Sequence, residues 1–350
     1  MKKEILDLIR RGVALPATPL ALTPERKFDA HRQRVLMRYY VDAGAGGVAV
    51  GMHFTQFEIR NPGVGLFEPV MRTCAEELDR LGDDRGRPLI KIAGINGLTT
   101  DAVRQAELAK DLGYDFAIIS MAAFGPGALE QDMLHHVRAI AKVMPVFGFY
   151  LLTGVGGVPL PYSFWRELVE IGNVHGIKIA PFDRYGSVDV VRAVADAGRQ
   201  DTITLYTGND DSILYDLVTP FDFGTGKVRI RGGLLGQWGC WTKTAVDFLE
   251  RIHAWWDSGE PLPRELLTLS AQITDANAAI FDARHTFAGS IPGVHEILRR
   301  QGLLTSTVTL KPDEVLAPGQ AAEIDRVCAA YPHLSDDAFV RANLERWLDE

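Results

Sequence analysis

Cysteine is scarce in this 350-residue chain: Cys74, Cys240 and Cys328 lie far apart and are odd in number. That pattern excludes a disulfide framework and a zinc-binding spacing, and makes a reducing compartment the simplest home. No run of 18 apolar residues occurs, so no membrane-spanning helix is expected. The opening stretch, Met1-Lys2-Lys3-Glu4-Ile5-Leu6-Asp7, lacks the apolar core of a signal peptide and reads as a short amphipathic helix, so the expected location is the cytoplasm. Positive charge is not in excess: 37 Lys and Arg stand against 45 Asp and Glu, and no basic patch of the kind nucleic acid requires stands out. There is no internal repeat, no low-complexity segment and no G-x-G-x-x-G after the first apolar run, which removes the signature of a doubly wound dinucleotide-binding sheet. The adjacent His135 and His136 face different directions on a helix, and no two-histidine-plus-carboxylate grouping accompanies them. Neither a metal nor an organic cofactor is expected.

What the chain does have is alternation. Short apolar runs at 12–19, 46–51, 88–94, 116–120, 145–150, 174–180, 202–206 and 227–231 read as strands. Helical patterns lie between or after them at 29–42, 68–81, 99–112, 129–143, 162–170, 188–197 and 241–256, the third opening on a Thr/Asp start signal at Thr99. Short apolar runs suit parallel strands covered on both faces. Eight of them spread over roughly 250 residues predict a (β/α)8 TIM barrel. Past Pro261 the pattern is helical only, at 266–281, 292–301, 320–330 and 336–348. The expected organisation is an N-terminal helix at 1–11, a barrel at 12–258, and a C-terminal helical region at 259–350 packed on it.

In such barrels chemistry sits at the C-terminal ends of the strands. The sixth run, Val174-His175-Gly176-Ile177-Lys178-Ile179-Ala180, carries one lysine among apolar residues. Burial disfavours its charged form, and a neutral amine can attack a ketone and form a Schiff base. The alternative is a lysine whose head stays in water or pairs with a carboxylate. Thr18, the segment Met52-His53, Tyr150 and the loop Thr207-Gly208-Asn209-Asp210-Asp211 end the first, second, fifth and seventh runs. An amine, a phenol and an imidazole on one mouth suit carbonyl chemistry. Equally, Tyr150 can be packing, His53 a hydrogen-bonded loop residue, and Asp210-Asp211 a helix cap and first turn. Lys91, mid-way along the third run, is the competing nucleophile.

Five segments in order carry a resemblance: Ala17-Thr18-Pro19, the glycine-rich 44–51, 145–150 ending in Tyr150, Gly176-Ile177-Lys178, and Gly208-Asn209-Asp210-Asp211. A sixth, 294–303, fits the C-terminal helices. Together they resemble the dihydrodipicolinate synthase/N-acetylneuraminate lyase family of class I pyruvate-dependent aldolases, over roughly residues 12–330. The separation of Tyr150 and Lys178, 28 residues, agrees with that family's catalytic tyrosine and lysine. The resemblance implies a Lys178 imine with a 2-keto acid, Tyr150 as proton carrier, and substrate contacts at Thr18, Met52, His53, Gly208 and Asn209. It implies a homo-oligomer, a tetramer of paired dimers, to which the aromatic Phe248, Trp255 and Trp256 add a partly exposed surface.

The departures are as informative. The family's Gly-Thr-Thr-Gly-Glu loop is replaced by Gly51-Met52-His53-Phe54-Thr55. No arginine follows Tyr150 in 151–157, and Phe124 is the nearest match to the synthases' second tyrosine. The expected activity is therefore retro-aldol release of pyruvate, or dehydration of a sugar-derived keto acid, and not dihydrodipicolinate synthesis. The rival from another class is a non-catalytic keto-acid-binding or regulatory barrel.

Overall fold

Short apolar runs alternate with helical patterns along the chain, and the structure turns them into strands buried on both faces and helices. It is a computed structural model that describes residues 2–125 and 127–350. Pro126, which borders the segment matched to the synthases' second tyrosine, lies outside the described residues. The chain begins α1 (Lys3–Arg11), β1 (Ala14–Pro16), α2 (Ala30–Ala43), β2 (Gly47–Val50), α3 (Phe67–Arg85) and β3 (Ile90–Ile95). It continues with α4 (Thr99–Asp111), β4 (Phe116–Ile119), α5 (Glu130–Ala141), β5 (Val146–Leu151), α6 (Tyr162–Leu168) and β6 (Val174–Ala180). Next come α7 (Arg184–Asp196), β7 (Thr204–Thr207), α8 (Ile213–Val218), β8 (Phe221–Asp222), β9 (Lys227–Val228) and β10 (Ile230–Leu235). The helices α9 (Thr242–Ser258), α10 (Arg264–Ile280), α11 (Ser290–Arg300), α12 (Gln320–Ala330) and α13 (Asp337–Asp349) follow. This is a (β/α)8 barrel with C-terminal helices: β1 to β7 and β10 are the eight strands of one sheet.

The contacts divide into two compact units. The first takes residues up to 13 together with 90–234. Its parallel strands run β3-β4-β5-β6-β7-β10. Their inner face is built from large residues opposite glycines. The Phe147 ring lies 5.2 Å from Phe116 and 5.7 Å from Tyr206. A Cβ at Gly176 would come within 2.4 Å of Phe147, and one at Gly232 within 2.6 Å of Tyr206. Those glycines are therefore spaces for rings. Tyr206 Oη donates to the Ile9 carbonyl at 3.0 Å and accepts from Val13 N at 3.2 Å, which ties α1 to the strands' N-terminal side.

Three expectations change here. The eighth barrel strand is β10, not 227–231; Lys227–Val228 instead pairs antiparallel with Phe221–Asp222. The pair Gly232-Gly233 lies inside β10, where Tyr206 needs the room. Helix α7 starts at Arg184 because Asp183 caps it, accepting from Tyr185 N and Gly186 N at 3.1 Å each. Thr99 does not cap α4; Leu98 is the capping position, and Thr99 Oγ1 instead meets His136 Nδ1 at 3.1 Å.

The second unit takes residues 14–89 and 235–350. Here β1 and β2 lie side by side through the parallel bridge Ala17–Ala49, with Thr18 N donating to the Ala49 carbonyl at 3.0 Å. Helix α2 is buried along most of its length against α3 and α13. Arg38 donates to Glu77 at 2.8 Å and to the Trp347 carbonyl at 2.6 Å. Tyr39 Oη donates to Asp336 at 2.7 Å. Trp347 is fully buried, and truncating such a ring to alanine costs about 3–5 kcal/mol. Phe248, Trp255 and Trp256 are only partly exposed, and Trp255 Nε1 is taken by the Glu260 carbonyl at 2.9 Å. Among the described residues no helix is long and apolar enough to cross a membrane.

Candidate active site

Isoleucines flank Lys178 on β6, and Pro181 follows the strand's end. Register sets its neighbours: Phe149 on β5 and Tyr206 on β7 stand directly opposite it, and directly opposed residues share a face. Lys178 is 7% exposed, and its Nζ lies 4.6 Å from the centre of the Phe149 ring. On the other side its stem lies on Gly208, where a Cβ would come 2.5 Å from Lys178 Cε. Only glycine fits there. Burial pushes the amine down to about 8, with the negative charge of Asp210 acting the other way. At pH 7 roughly a tenth of it is then neutral, against well under a thousandth for an ordinary lysine.

Beside the amine is a buried polar knot centred on Asn209. Its Oδ1 accepts from Phe182 N at 3.1 Å, and its Nδ2 donates to Ser187 Oγ at 3.0 Å and Asp216 at 2.9 Å. Asp216, fully buried, also accepts from Thr207 Oγ1 at 2.7 Å and from Arg184. Burial raises its carboxyl above the usual range despite these donors. The knot ties the loops after β6 and β7 to α7 and α8, and holds Phe182 at φ 51°, a left-handed value that costs energy in a residue with a Cβ. Gly208 N donates to the Ile179 carbonyl at 2.7 Å. Asn209 therefore acts on the loop that carries Gly208. Asp210 is buried and does not cap a helix; α8 begins after Ser212.

Lys91 is buried too, but at the other end of the strands. Its backbone N donates to Asp115 Oδ2 at 2.9 Å, its carbonyl accepts from Asp115 N, and its Nζ lies against Gly113, ahead of β4.

Tyr150 is opposite Ile179, not Lys178. Between Val146 and Phe147 the ladder shifts register by one: Val146 pairs with Val174, Phe147 with Gly176. Without that bulge at His175, counting 28 residues along would set Tyr150 against Lys178. With it, Phe149 takes that place and Tyr150 projects to the other face. There its ring packs on Trp165 at 5.2 Å, its hydroxyl accepts from Leu160 N at 3.4 Å, and a Cβ at Gly186 would come within 3.0 Å of its ring. Burial and the charges of Asp183 and Asp189 raise its phenol.

Thr18, Met52 and His53 belong to the second unit. Thr18 is fully buried; its Oγ1 accepts from Gln33 Nε2 at 3.1 Å and its carbonyl accepts from Thr55 Oγ1 at 2.8 Å. Met52 is buried, and His53 opens a short 3-10 turn with its ring edge-on to Phe54, 5.2 Å between centres. In the same loop the Arg60 guanidinium stacks on Phe67 at 4.4 Å and donates to the Gly51 carbonyl at 2.8 Å. Burial draws it down to about 9, still charged at pH 7.

No family model matches the sequence, and no curated protein matches it. Solved structures do. An N-acetylneuraminate lyase from Fusobacterium nucleatum, complexed with pyruvate, is 17% identical with a TM-score of 0.70, over 92% of this chain and 98% of that one. A prophage protein of the dihydrodipicolinic acid synthase family from E. coli K12, also complexed with pyruvate, is 16% identical with a TM-score of 0.71, over 93% and 98%. A dihydrodipicolinate synthase from Oceanobacillus iheyensis is 15% identical with a TM-score of 0.67, over 94% and 99%. The chain has the fold of the N-acetylneuraminate lyases and dihydrodipicolinate synthases.

On this lyase and synthase fold, Phe149 and Asp216 went unread in the sequence, and Asp210 was read only as part of the loop after the seventh run or as a helix cap. Phe149 carries no polar atom, and Asp216 lies on α8, too short at six residues to leave a periodic signal. Phe124, half-buried in a 3-10 turn after β4, packs edge-on against His136, 5.0 Å between centres. Burial draws that histidine down to about 4. Among the described residues no three His, Cys, Asp or Glu side chains are grouped as metal ligands.

Proposed function

We propose that the protein is a divergent member of the dihydrodipicolinate synthase/N-acetylneuraminate lyase family, acting on a 2-keto acid as a class I lyase or aldolase through Lys178. The observation that carries this reading is the buried Lys178 amine on β6, drawn down to about 8 and clamped between Gly208 and Phe149. Two structures of the same fold hold pyruvate, a 2-keto acid, which supports the substrate class.

The Nζ lone pair attacks the ketone carbon, and the carbonyl oxygen takes a proton as the nitrogen loses one. The carbinolamine expels water and leaves a protonated imine. In retro-aldol cleavage the C3–C4 bonding pair moves into that imine, giving an enamine, while the C4 hydroxyl loses its proton and leaves as an aldehyde. C3 then takes a proton, and water releases pyruvate and the free amine. Dehydration uses the same imine, with a C–O bond breaking instead. The proposal gives Asp210, whose charge acts on the amine, the proton transfers at nitrogen and at the carbinolamine oxygen. Asn209 holds the Gly208 loop. Substrate contacts at Thr18, Met52 and His53 rest on the sequence resemblance, as does the homotetramer, while the cytoplasmic location rests on the sparse cysteines and the opening stretch; a monomer by light scattering at micromolar concentration would remove the tetramer.

Borohydride trapping tests this reading. With pyruvate and a panel of 2-keto acids, a stable mass adduct on Lys178 is expected, followed by turnover of the trapped compounds. Trapping without turnover would favour the second reading, a keto-acid-binding or regulatory barrel. One observation favours that reading: Phe149, the β5 residue directly opposite Lys178, has no hydroxyl to move a proton.

A further inference from the structure

The group nearest the reacting nitrogen on β5 is an aromatic face. From that contact, and resting on the Schiff-base reading above, we infer that Phe149 is a catalytic residue whose ring carries the positive charge of the Lys178 iminium. Three observations support it. The 4.6 Å from Nζ to the ring centre is within the range at which an aromatic quadrupole attracts a cation. The contact is imposed, since Gly208 blocks the opposite side of the stem and the bulge at His175 sets Phe149 directly across from Lys178. The hydroxyl that could have served instead, on Tyr150, accepts from Leu160 N on the other face of β5.

The chemistry gives this contact a role that packing does not have. Converting the neutral amine and a ketone into the iminium consumes one proton, releases one water and creates one buried positive charge. A buried cation with little water around it is costly. The ring offsets part of that cost at the step where the charge appears, and loses its hold when the iminium becomes a neutral enamine. Phe149 therefore favours imine formation and holds the cationic intermediate.

The pH dependence distinguishes this role. Well above pH 8 the reactant amine is neutral and the product iminium charged, so the whole attraction enters the equilibrium. Well below pH 8 the ammonium and the iminium both lie under the ring, and the attraction largely cancels. The test replaces Phe149 with 4-fluoro-, 3,5-difluoro- and 3,4,5-trifluorophenylalanine, which drain the π face while nearly keeping its shape. Cyanoborohydride, which reduces the charged imine, is the trap, with pyruvate as the probe at pH 6 and pH 9. The expected result is a stepwise fall in trapping rate at pH 9, roughly 2- to 30-fold across the series, with little change at pH 6. Phe149→Leu is expected to match the trifluoro variant at pH 9 and to lower the pH at which Lys178 titrates. A wild-type protein that traps normally beside a flat fluorinated series would overturn the role of Phe149. Equal losses at both pH values would mean packing alone and overturn it too. A wild-type protein that traps no keto acid would instead overturn the Schiff-base reading.

Discussion

Lys178 and Lys91 are two buried lysines on strands of one unit, 7% and 6% exposed, yet their surroundings have little in common. Lys91 lies at the N-terminal side of β3, beside a turn that contains Asp115 and Gly113. Lys178 lies towards the C-terminal ends, with a ring on one side, a glycine on the other and a hydrogen-bonded knot behind. The difference teaches that burial of an amine is not enough to mark a nucleophile. On the proposed reading, its position along the strand and the chemistry of the groups that confine it decide.

Removing each lysine gives the sharpest contrast. Lys178→Ala is expected to abolish keto-acid trapping, whereas Lys91→Ala keeps it within about threefold of wild type provided it folds. Peptide mapping of the adduct checks this, and an adduct on Lys91 would reverse the comparison. Stability comes next. The folded amine titrates near 8 and the unfolded one near 10.5, so the unfolded chain binds more protons between those values. Stability therefore rises as pH climbs through that window, and below pH 8 the buried ammonium is a burden of up to about 3 kcal/mol. Lys178→Met is expected to be the more stable protein at pH 7, with its advantage shrinking towards pH 10.5, as read by chemical denaturation. An unchanged midpoint at pH 7 would show that the ammonium is well solvated. Gly208→Ala should come third. The added Cβ would lie 2.5 Å from Lys178 Cε, so the amine must shift, and trapping is expected to slow by about 10- to 100-fold with the fold intact by circular dichroism. The smallest effect is expected of Tyr150→Phe, under about threefold on trapping and turnover. A proton carrier would instead lose about 10²–10⁴-fold, and such a loss would restore the phenol to the mechanism.

The barrel was legible because strands covered on both faces must be apolar throughout, and Lys178 was legible as the polar exception in such a run. The eighth strand was misplaced because Gly232-Gly233 resembles a turn in sequence, while its purpose is to make room for Tyr206. The residue opposite Lys178 was hidden for a subtler reason. Counting from Tyr150 assumes an unbroken ladder, and one extra residue at His175 moves every later pair by one. Nothing in the residues from 145 to 151 announces this, since Phe149 and Tyr150 are both plausible on either face. Asn209 was noticed for its place after the seventh run, but its three side-chain hydrogen bonds depend on residues as far away as Phe182, 27 positions earlier. Such knots depend on which loops meet, and that is settled only by the fold.

The side chain of Arg38 also has a consequence for how the protein is made. It is buried early in the chain, and one of its two hydrogen-bond partners, the Trp347 carbonyl, lies 309 residues later. A ribosome delivers Arg38 long before it delivers Trp347. During that interval α2 has a guanidinium, the Tyr39 ring and an apolar face with no α13 to cover them, and contacts between such distant residues form slowly. Newly made chains are thus expected to depend on a holding chaperone, and a stop codon a few residues before Trp347 should leave a protein that is synthesised in full measure yet degraded.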